Sequence, residues 1–194
     1  DRLKKRDYYR IAIKWGDYVE RIESTANPFI KELKKLKNKS ERYEKGLYIV
    51  EGENCVGELV NFKPQLIECI LFTEKYQGMF KGFKEYVVSQ RIMESLCDTK
   101  TPQGIIAVCR MENEFKNTSS VCVYLDNVKD PGNVGTIIRT ADAAGIETVI
   151  LSKECADLYN SKTVRSTMGS MFHIDVVYED EYLSKLKELK NEGY

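Results

Sequence analysis

The stretch Leu125–Gly145, LDNVKDPGNVGTIIRTADAAG, holds the residues best suited to chemistry in this chain of 194 residues. An apolar strand, Val121–Leu125, runs into a turn rich in Asp, Pro and Gly (Asp126 to Gly132). A helix is expected over 133–144, with Gly145 as its stop. Asn133 is expected to cap that helix, whose first turn offers unpaired N–H groups to an anion. Gly135 lets another backbone or a ligand come close. Arg139, six residues after Asn133, carries a guanidinium one to two turns into the helix, so a phosphate or ribose at the turn would meet both. As spacing, Gly132–Gly135 is only G-x-x-G and fails the G-x-G-x-x-G pattern of a dinucleotide site. Asp126 and Asp130 lack the further ligands that a metal needs.

The elements that must position these residues fall into two α/β stretches. In the first, Asn27 suits an N-cap and Pro28 the first helical position, and Phe29, Leu33 and Leu36 recur at helical spacing. Lys31, Lys34, Lys35, Lys37 and Lys39 fall on the other face, which predicts one amphipathic helix with a basic outer side. Leu47–Val50, Leu66–Phe72, Tyr86–Val88 and Gly104–Arg110 read as strands, with helical spacing around Cys55–Val60 and over Ser89–Cys97. Strands alternating with helices over residues 21–110 predict a small α/β domain. Residues 111–120 (MENEFKNTSS) read as a linker, and 1–20 as an extension without an assigned role. Residues 121–194 form the second domain. Val121–Leu125 has the continuous apolar pattern of a central parallel strand. Glu147–Leu151 and Phe172–Val177 follow as strands, 160–169 and Glu181–Lys190 as helices, and His173 reads as a core residue of the third strand.

Composition excludes several classes. No apolar run approaches the length that spans a bilayer, and the charged start, Asp1 to Arg10, has no apolar stretch behind it. The six cysteines form no C-x-x-C pair and His173 is the only histidine, so a zinc site is not expected; reduced thiols in a cytoplasmic protein are. Formal net charge is zero, yet residues 1–45 carry fourteen Lys/Arg against eight Asp/Glu. A basic front ahead of an acidic body is the asymmetry expected when one part touches phosphates.

Asp130, Pro131, Asn133, Gly135, Arg139, Ala141 and Gly145 closely resemble the first signature motif of the SpoU/TrmH branch of the SPOUT methyltransferases. Ser161–Ser170 (SKTVRSTMGS) resembles that family's next segment through Lys162, Arg165, Ser166 and Gly169. Ser24–Leu36, Tyr48–Glu53 (YIVEGE) and Thr101–Val108 (TPQGIIAV) resemble its N-terminal, ribosomal-protein-like RNA-binding domain. The likeness spans about residues 21–178, and the three parts in this order make it specific.

The resemblance implies methyl transfer from S-adenosylmethionine to a ribose 2′-hydroxyl of ribosomal or transfer RNA, by an enzyme that dimerises with itself. It implies catalytic roles for Arg139 and Asn133. A guanidinium is a poor general base, so Arg139 is expected to stabilise the developing alkoxide or hold the adjacent phosphate, and Asn133 to orient loop or ribose. Lys162, Arg165 and Ser166 are expected at RNA, as are Lys31, Lys34 and Lys35 of the basic helix. The implied fold is the RNA-binding domain followed by the first half of a Rossmann-like parallel-sheet SPOUT domain. The family's Gly-Asn-Glu-Gly and Ser-Leu-Asn-Val-Ser segments, which build the cofactor-binding trefoil knot, do not occur in these residues. These 194 residues are therefore expected to hold no cofactor and to be inactive on their own. The other readings are a non-catalytic RNA-binding protein and a nucleotide-binding domain. The second of these lacks an acidic ribose partner at the required spacing.

Overall fold

The computed structural model describes residues 19–112 and 121–179, with 184, 187, 190 and 191. Most of the extension, nearly all of the linker stretch and most of the helix expected at Glu181–Lys190 lie outside the described residues. The chain divides into two compact units, Asp1–Met111 and Glu112–Tyr194.

In the first unit the strands are β1 (Glu20–Ile22), β2 (Leu47–Glu51), β3 (Ile67–Phe72), β4 (Glu85–Val88) and β5 (Ile105–Arg110). They form one mixed sheet in the order β1-β4-β3-β5-β2. β5 runs antiparallel to both neighbours, its Ala107 opposite Val50 on one side and Ile70 on the other, while β1, β4 and β3 are parallel. Helix α1 (Pro28–Lys35) and helix α4 (Gln90–Leu96) cover one face. There Ile30, Leu33, Ile92, Met93 and Leu96 pack with Leu71, Tyr86, Val88, Ile106 and Val108 in one buried cluster. The strand residues in it recur at every second position, the period of one sheet face. Helix α3 (Glu53–Phe62) buries Cys55, Val56, Leu59 and Val60 and packs on β2 and β5. The sheet is thus covered by helices, as an α/β layer fold requires.

Two expectations change here. Glu20, placed in an extension without a role, belongs to β1 at the edge of the sheet. The single lysine-faced helix is two: α1 ends at Lys35, and α2 (Lys39–Lys45) begins after a turn and stops at Gly46, whose φ is +63°. Lys37 therefore lies in the turn and Lys39 opens the second helix. The periodicity of Phe29, Leu33 and Leu36 is real, but it covers only the first helix and its C-cap.

The second unit is strictly alternating: β6 (Cys122–Leu125), α5 (Pro131–Ala143), β7 (Thr148–Ser152), α6 (Ser161–Ser166) and β8 (Asp175–Glu179). The sheet order is β6-β7-β8, all parallel. Successive crossovers of one hand, advancing in one direction, put α5 and α6 on the same face, and the two helices pack on each other. β7 is buried at every residue, whereas β6 is half-buried and at an edge among the described residues. Its apolar run predicts a central strand, but that pattern reports residue type, and β7 has the place between two neighbours. The third strand begins at Asp175, later than expected. Ser170–Phe172 form a turn of 3-10 helix, and His173 follows it at the surface instead of in the core. Phe172 and Ile174 bury on either side of it and account for the apolar pattern.

Candidate functional site

Asp130, not Asn133, caps α5: its Oδ1 accepts the Asn133 N–H at 2.9 Å. Pro131 is then the first helical residue, where its missing N–H costs nothing. That proline is the signal in the sequence for a cap one residue earlier. Asn133 is consequently a residue of the first turn, with its side chain exposed. The helix closes with Gly145 at φ +75°, Gly145 N–H donating to Asp142 O and Ile146 N–H to Ala141 O. This is the paired arrangement of a Schellman end.

The turn that leads into α5 is held from the side by the segment after β7. Asn127, at φ +57°, donates its N–H to Ser152 Oγ at 3.0 Å. The Cys155 thiol accepts the Val128 N–H at 3.4 Å and donates to Leu125 O at 3.2 Å. Ala156 N–H donates to Val128 O at 2.8 Å, and Lys129 Nζ to Glu154 O at 2.7 Å. Tyr178 of β8 joins the same knot of bonds, its hydroxyl accepting the Leu158 N–H at 2.7 Å and donating to Ala156 O at 3.1 Å. Nothing in the spacing of Ser152, Cys155 and Tyr178 announces this role, because it arises only when β6, β7 and β8 lie side by side.

The two motifs meet along the α5–α6 seam. A Cβ added to Gly135 would stand 2.5 Å from Ser166 Cβ and 2.6 Å from Thr163 O. At the N-terminal end of α5, Lys162 Nζ lies 3.0 Å from Asp130 Oδ2. In its last turn Asp142 Oδ2 lies 2.8 Å from His173 Nδ1. The Lys162 ammonium, with the N–H groups of the first turn, holds the Asp130 carboxyl below the usual carboxylate range. Ser166, expected at RNA, donates its hydroxyl to Lys162 O at 2.7 Å.

Arg139 is exposed on α5 and has no hydrogen bond or ion pair among the described residues. It follows Gly135 by four residues and precedes Asp142 by three, so all three share one side of the helix. Helical side chains lean toward the N-terminus, which directs a guanidinium at 139 back over the Gly135–Ser166 contact. Asn133 is about 9 Å further along the axis and about a third of a turn around it. A single phosphate does not fill both positions; a ribose with its phosphate is the smaller unit that spans such a distance.

In the first unit the basic face is partly neutralised. Glu32 takes Lys35 at 2.7 Å and Lys45 at 2.6 Å, and these two ammonium groups hold its carboxyl at about 2. Lys37 donates to Cys97 O at 2.9 Å. Lys31 and Lys34 keep no partner among the described residues. The two front motifs meet at one end of the sheet. Gly52, at φ +99°, donates its N–H to Ile105 O at 3.1 Å, and Gln103 Oε1 accepts the Glu53 N–H at 2.8 Å. Glu51 accepts a hydrogen bond from Thr99.

Comparison with known proteins follows the same division. Residues 120–194 match the SpoU rRNA Methylase family and 27–107 the MRM3-like substrate binding domain. The chain is 40% identical to a 23S rRNA (guanosine(2553)-2′-O)-methyltransferase, RlmP, of Bacillus subtilis over 178 residues, 90% of this chain and 71% of that one. It is 33% identical to the mitochondrial rRNA methyltransferase 3A of Danio rerio, over 70% of this chain and 34% of that one. Among solved structures, an AdoMet-bound rRNA methyltransferase from Sinorhizobium meliloti matches with TM-score 0.75 and 28% identity, covering 88% of this chain and 69% of that one. A putative RNA methyltransferase of the TrmH family from Porphyromonas gingivalis matches with TM-score 0.78 and 27% identity, over 87% and 68%. The fold is that of the SPOUT methyltransferases, and the chain belongs to the SpoU/TrmH family of RNA 2′-O-methyltransferases.

Proposed function

We propose that this chain is the RNA-binding front and the first half of the catalytic domain of an enzyme that methylates a ribose 2′-hydroxyl of 23S ribosomal RNA. The observation that carries the reading is Arg139. It is an exposed guanidinium without a partner among the described residues, on a helix that Asp130 caps and the α5–α6 seam fixes. An exposed guanidinium that no carboxylate neutralises suits an oxyanion or a phosphate. In this reading Arg139 stabilises the negative charge that develops on the ribose oxygen, or grips the adjacent phosphate, while the proton leaves to phosphate or water. Asn133 orients the ribose. Arg165 reaches RNA from α6, and Lys31, Lys34 and Lys35 receive phosphates on the first unit. The enzyme acts in the cytoplasm as a homodimer.

S-adenosylmethionine is the methyl donor the family implies. In parallel α/β sheets a ligand sits outside the carboxyl ends of the strands, but here the groups after β6 and β7 bond to one another through Cys155, Ser152 and Ala156. The residues described do not fit the cofactor. We assign its site to the Gly-Asn-Glu-Gly and Ser-Leu-Asn-Val-Ser segments, which residues 1–194 do not contain.

The test is turnover of the full-length enzyme on unmodified 23S rRNA transcript. Arg139→Lys keeps the charge and loses the planar fork, and should lower kcat by about a hundredfold, the scale of one oxyanion donor. Near-normal turnover in Arg139→Lys refutes the role given to Arg139. No methylation of any ribosomal transcript by the parent enzyme refutes the function itself.

A further inference from the structure

Lys162 occupies the first turn of α6, where a cation faces the positive end of the helix dipole. Its N–H is already satisfied by the N-cap Asn160, whose Oδ1 accepts it at 2.9 Å. The helix gains nothing locally from a lysine at this place. The side chain instead crosses to α5. Its Nζ lies 3.0 Å from Asp130 Oδ2, and its Cε would lie 3.5 Å from a Cβ on Gly132. A Cβ there would also stand 2.8 Å from Asp130 Oδ1, so the pair closes over a position that only glycine fills without displacement. Asp130 thus has one oxygen on the N–H of Asn133 and the other on the lysine of the following motif.

We propose that Lys162 is a positioning residue for the methyl-transfer site. Acting through Asp130, it sets the Asp130–Asn133 turn, and with it the start of the helix that carries Arg139, and it does not itself bind an RNA phosphate. This rests on the reading of α5 as the helix that meets the ribose. Both side chains are about half exposed, at 56% and 47%, so the pair adds little to stability. Its effect is on direction: a carboxylate that caps a helix has two oxygens, and the lysine fixes which way the second one points.

The two roles separate through salt. A lysine that neutralises a phosphate releases a counterion, and removing it lowers the slope of log K against log [salt] by about 0.7 on single-stranded RNA. Binding of a fluorescein-labelled single-stranded rRNA fragment to the chain, followed by anisotropy over a salt series, should give the same slope for Lys162→Ala as for the parent. In the full-length enzyme Lys162→Ala should lower kcat about tenfold with KM for RNA nearly unchanged, and Lys162→Arg should restore part of it. Asp130→Asn keeps a capping oxygen and removes the charge. In that background Lys162→Ala should have no further effect, since one device is already broken. A reduced salt slope, a raised KM at constant kcat, or additive losses in the double variant would each overturn the proposal. A full-length parent without turnover counts against the function proposed above, and the salt slope then decides the role of Lys162 by itself.

Discussion

Gly135 and Ser166 stand so close that a Cβ on the glycine would lie 2.5 Å from the serine Cβ, and this contact is where the two sequence motifs become one structure. Motif residues 31 positions apart share a seam because consecutive crossovers of one hand place α5 and α6 side by side. The seam has a definite direction. Asp130 meets Lys162, Gly135 meets Ser166, and Asp142 meets His173, so the two segments run along each other in register.

Gly135→Ala sets two effects of opposite sign against each other. Alanine favours a helix interior over glycine by about 1 kcal/mol. The new methyl would meet Ser166 Cβ at 2.5 Å and Thr163 O, a backbone atom, at 2.6 Å, and overpacking of this kind costs about 1–3 kcal/mol. The clash should win, giving a net loss that urea unfolding of the chain will show. Gly145→Ala is the control: nothing lies within 4 Å of its Cβ, but its φ of +75° imposes a left-handed conformation that costs about 1–2 kcal/mol. A Gly135→Ala protein more stable than the parent would mean that α6 yields at the seam.

Much of the fold was legible because its signals are local. Asn27 with Pro28 marks the start of α1, and Asn27 Oδ1 does accept the Phe29 N–H at 2.8 Å. Ser89 and Cys97 bracket α4 as cap residues, and Gly145 stops α5. Other features depend on partners distant in sequence. The edge place of β6 follows from which strand lies between the other two. The surface place of His173 follows from a 3-10 turn that delays β8, and the break in the lysine-rich helix is held by the Arg42 guanidinium, which donates to Leu36 O at 2.8 Å and Lys37 O at 2.9 Å. The candidate site divides the same way. Arg139 and Asn133 are proposed from their resemblance to the family motif, while Asp130 as cap, Cys155 as clasp and Lys162 as brace emerge only from the packed unit.

Cys155 holds the turn before α5 by two hydrogen bonds to its backbone, at 3.4 Å from Val128 N and 3.2 Å to Leu125 O, in a site that is 6% exposed. Cys155→Ala strips both partners at once. Leaving buried polar groups unsatisfied costs about 1–3 kcal/mol, so stability should fall by that order. Cys155→Ser supplies a donor and an acceptor and should recover a large part. Hydrogen exchange of the Val128 amide reports the local event: it should accelerate in Cys155→Ala more than amides of β7 do. Uniform acceleration across the unit would mean that the thiol only fills space.

Glu32 gives a pH prediction on the first unit. Lys35 and then Lys45 lower its carboxyl from 4.5 to about 2. A folded-state value below the unfolded one means that the group favours folding above the unfolded pKa and loses that contribution as pH falls through the folded pKa. The window therefore lies between about 4.5 and about 2. The effect on stability is small because all three side chains are solvated. The side-chain carboxyl resonance of Glu32 is the sensitive probe. Its midpoint should move back toward 4.5 when Lys35 and Lys45 are both replaced by alanine, and an unchanged midpoint would show that the two ammonium groups do not hold it.

Cofactor binding tests the division of labour within the enzyme. The bonds that join the turn after β6 to the segment after β7 occupy the edge where a parallel sheet receives a ligand. The family segments assigned to the cofactor are not among residues 1–194. Calorimetric titration of this chain with S-adenosylmethionine should therefore show no heat of binding, while the same chain still binds RNA with an affinity that falls steeply with salt. Binding in the micromolar range would require the clasp to open, and Cys155→Ala should then tighten it. That pairing of results would move the cofactor site onto β6 and β7 and make the clasp a gate instead of a brace.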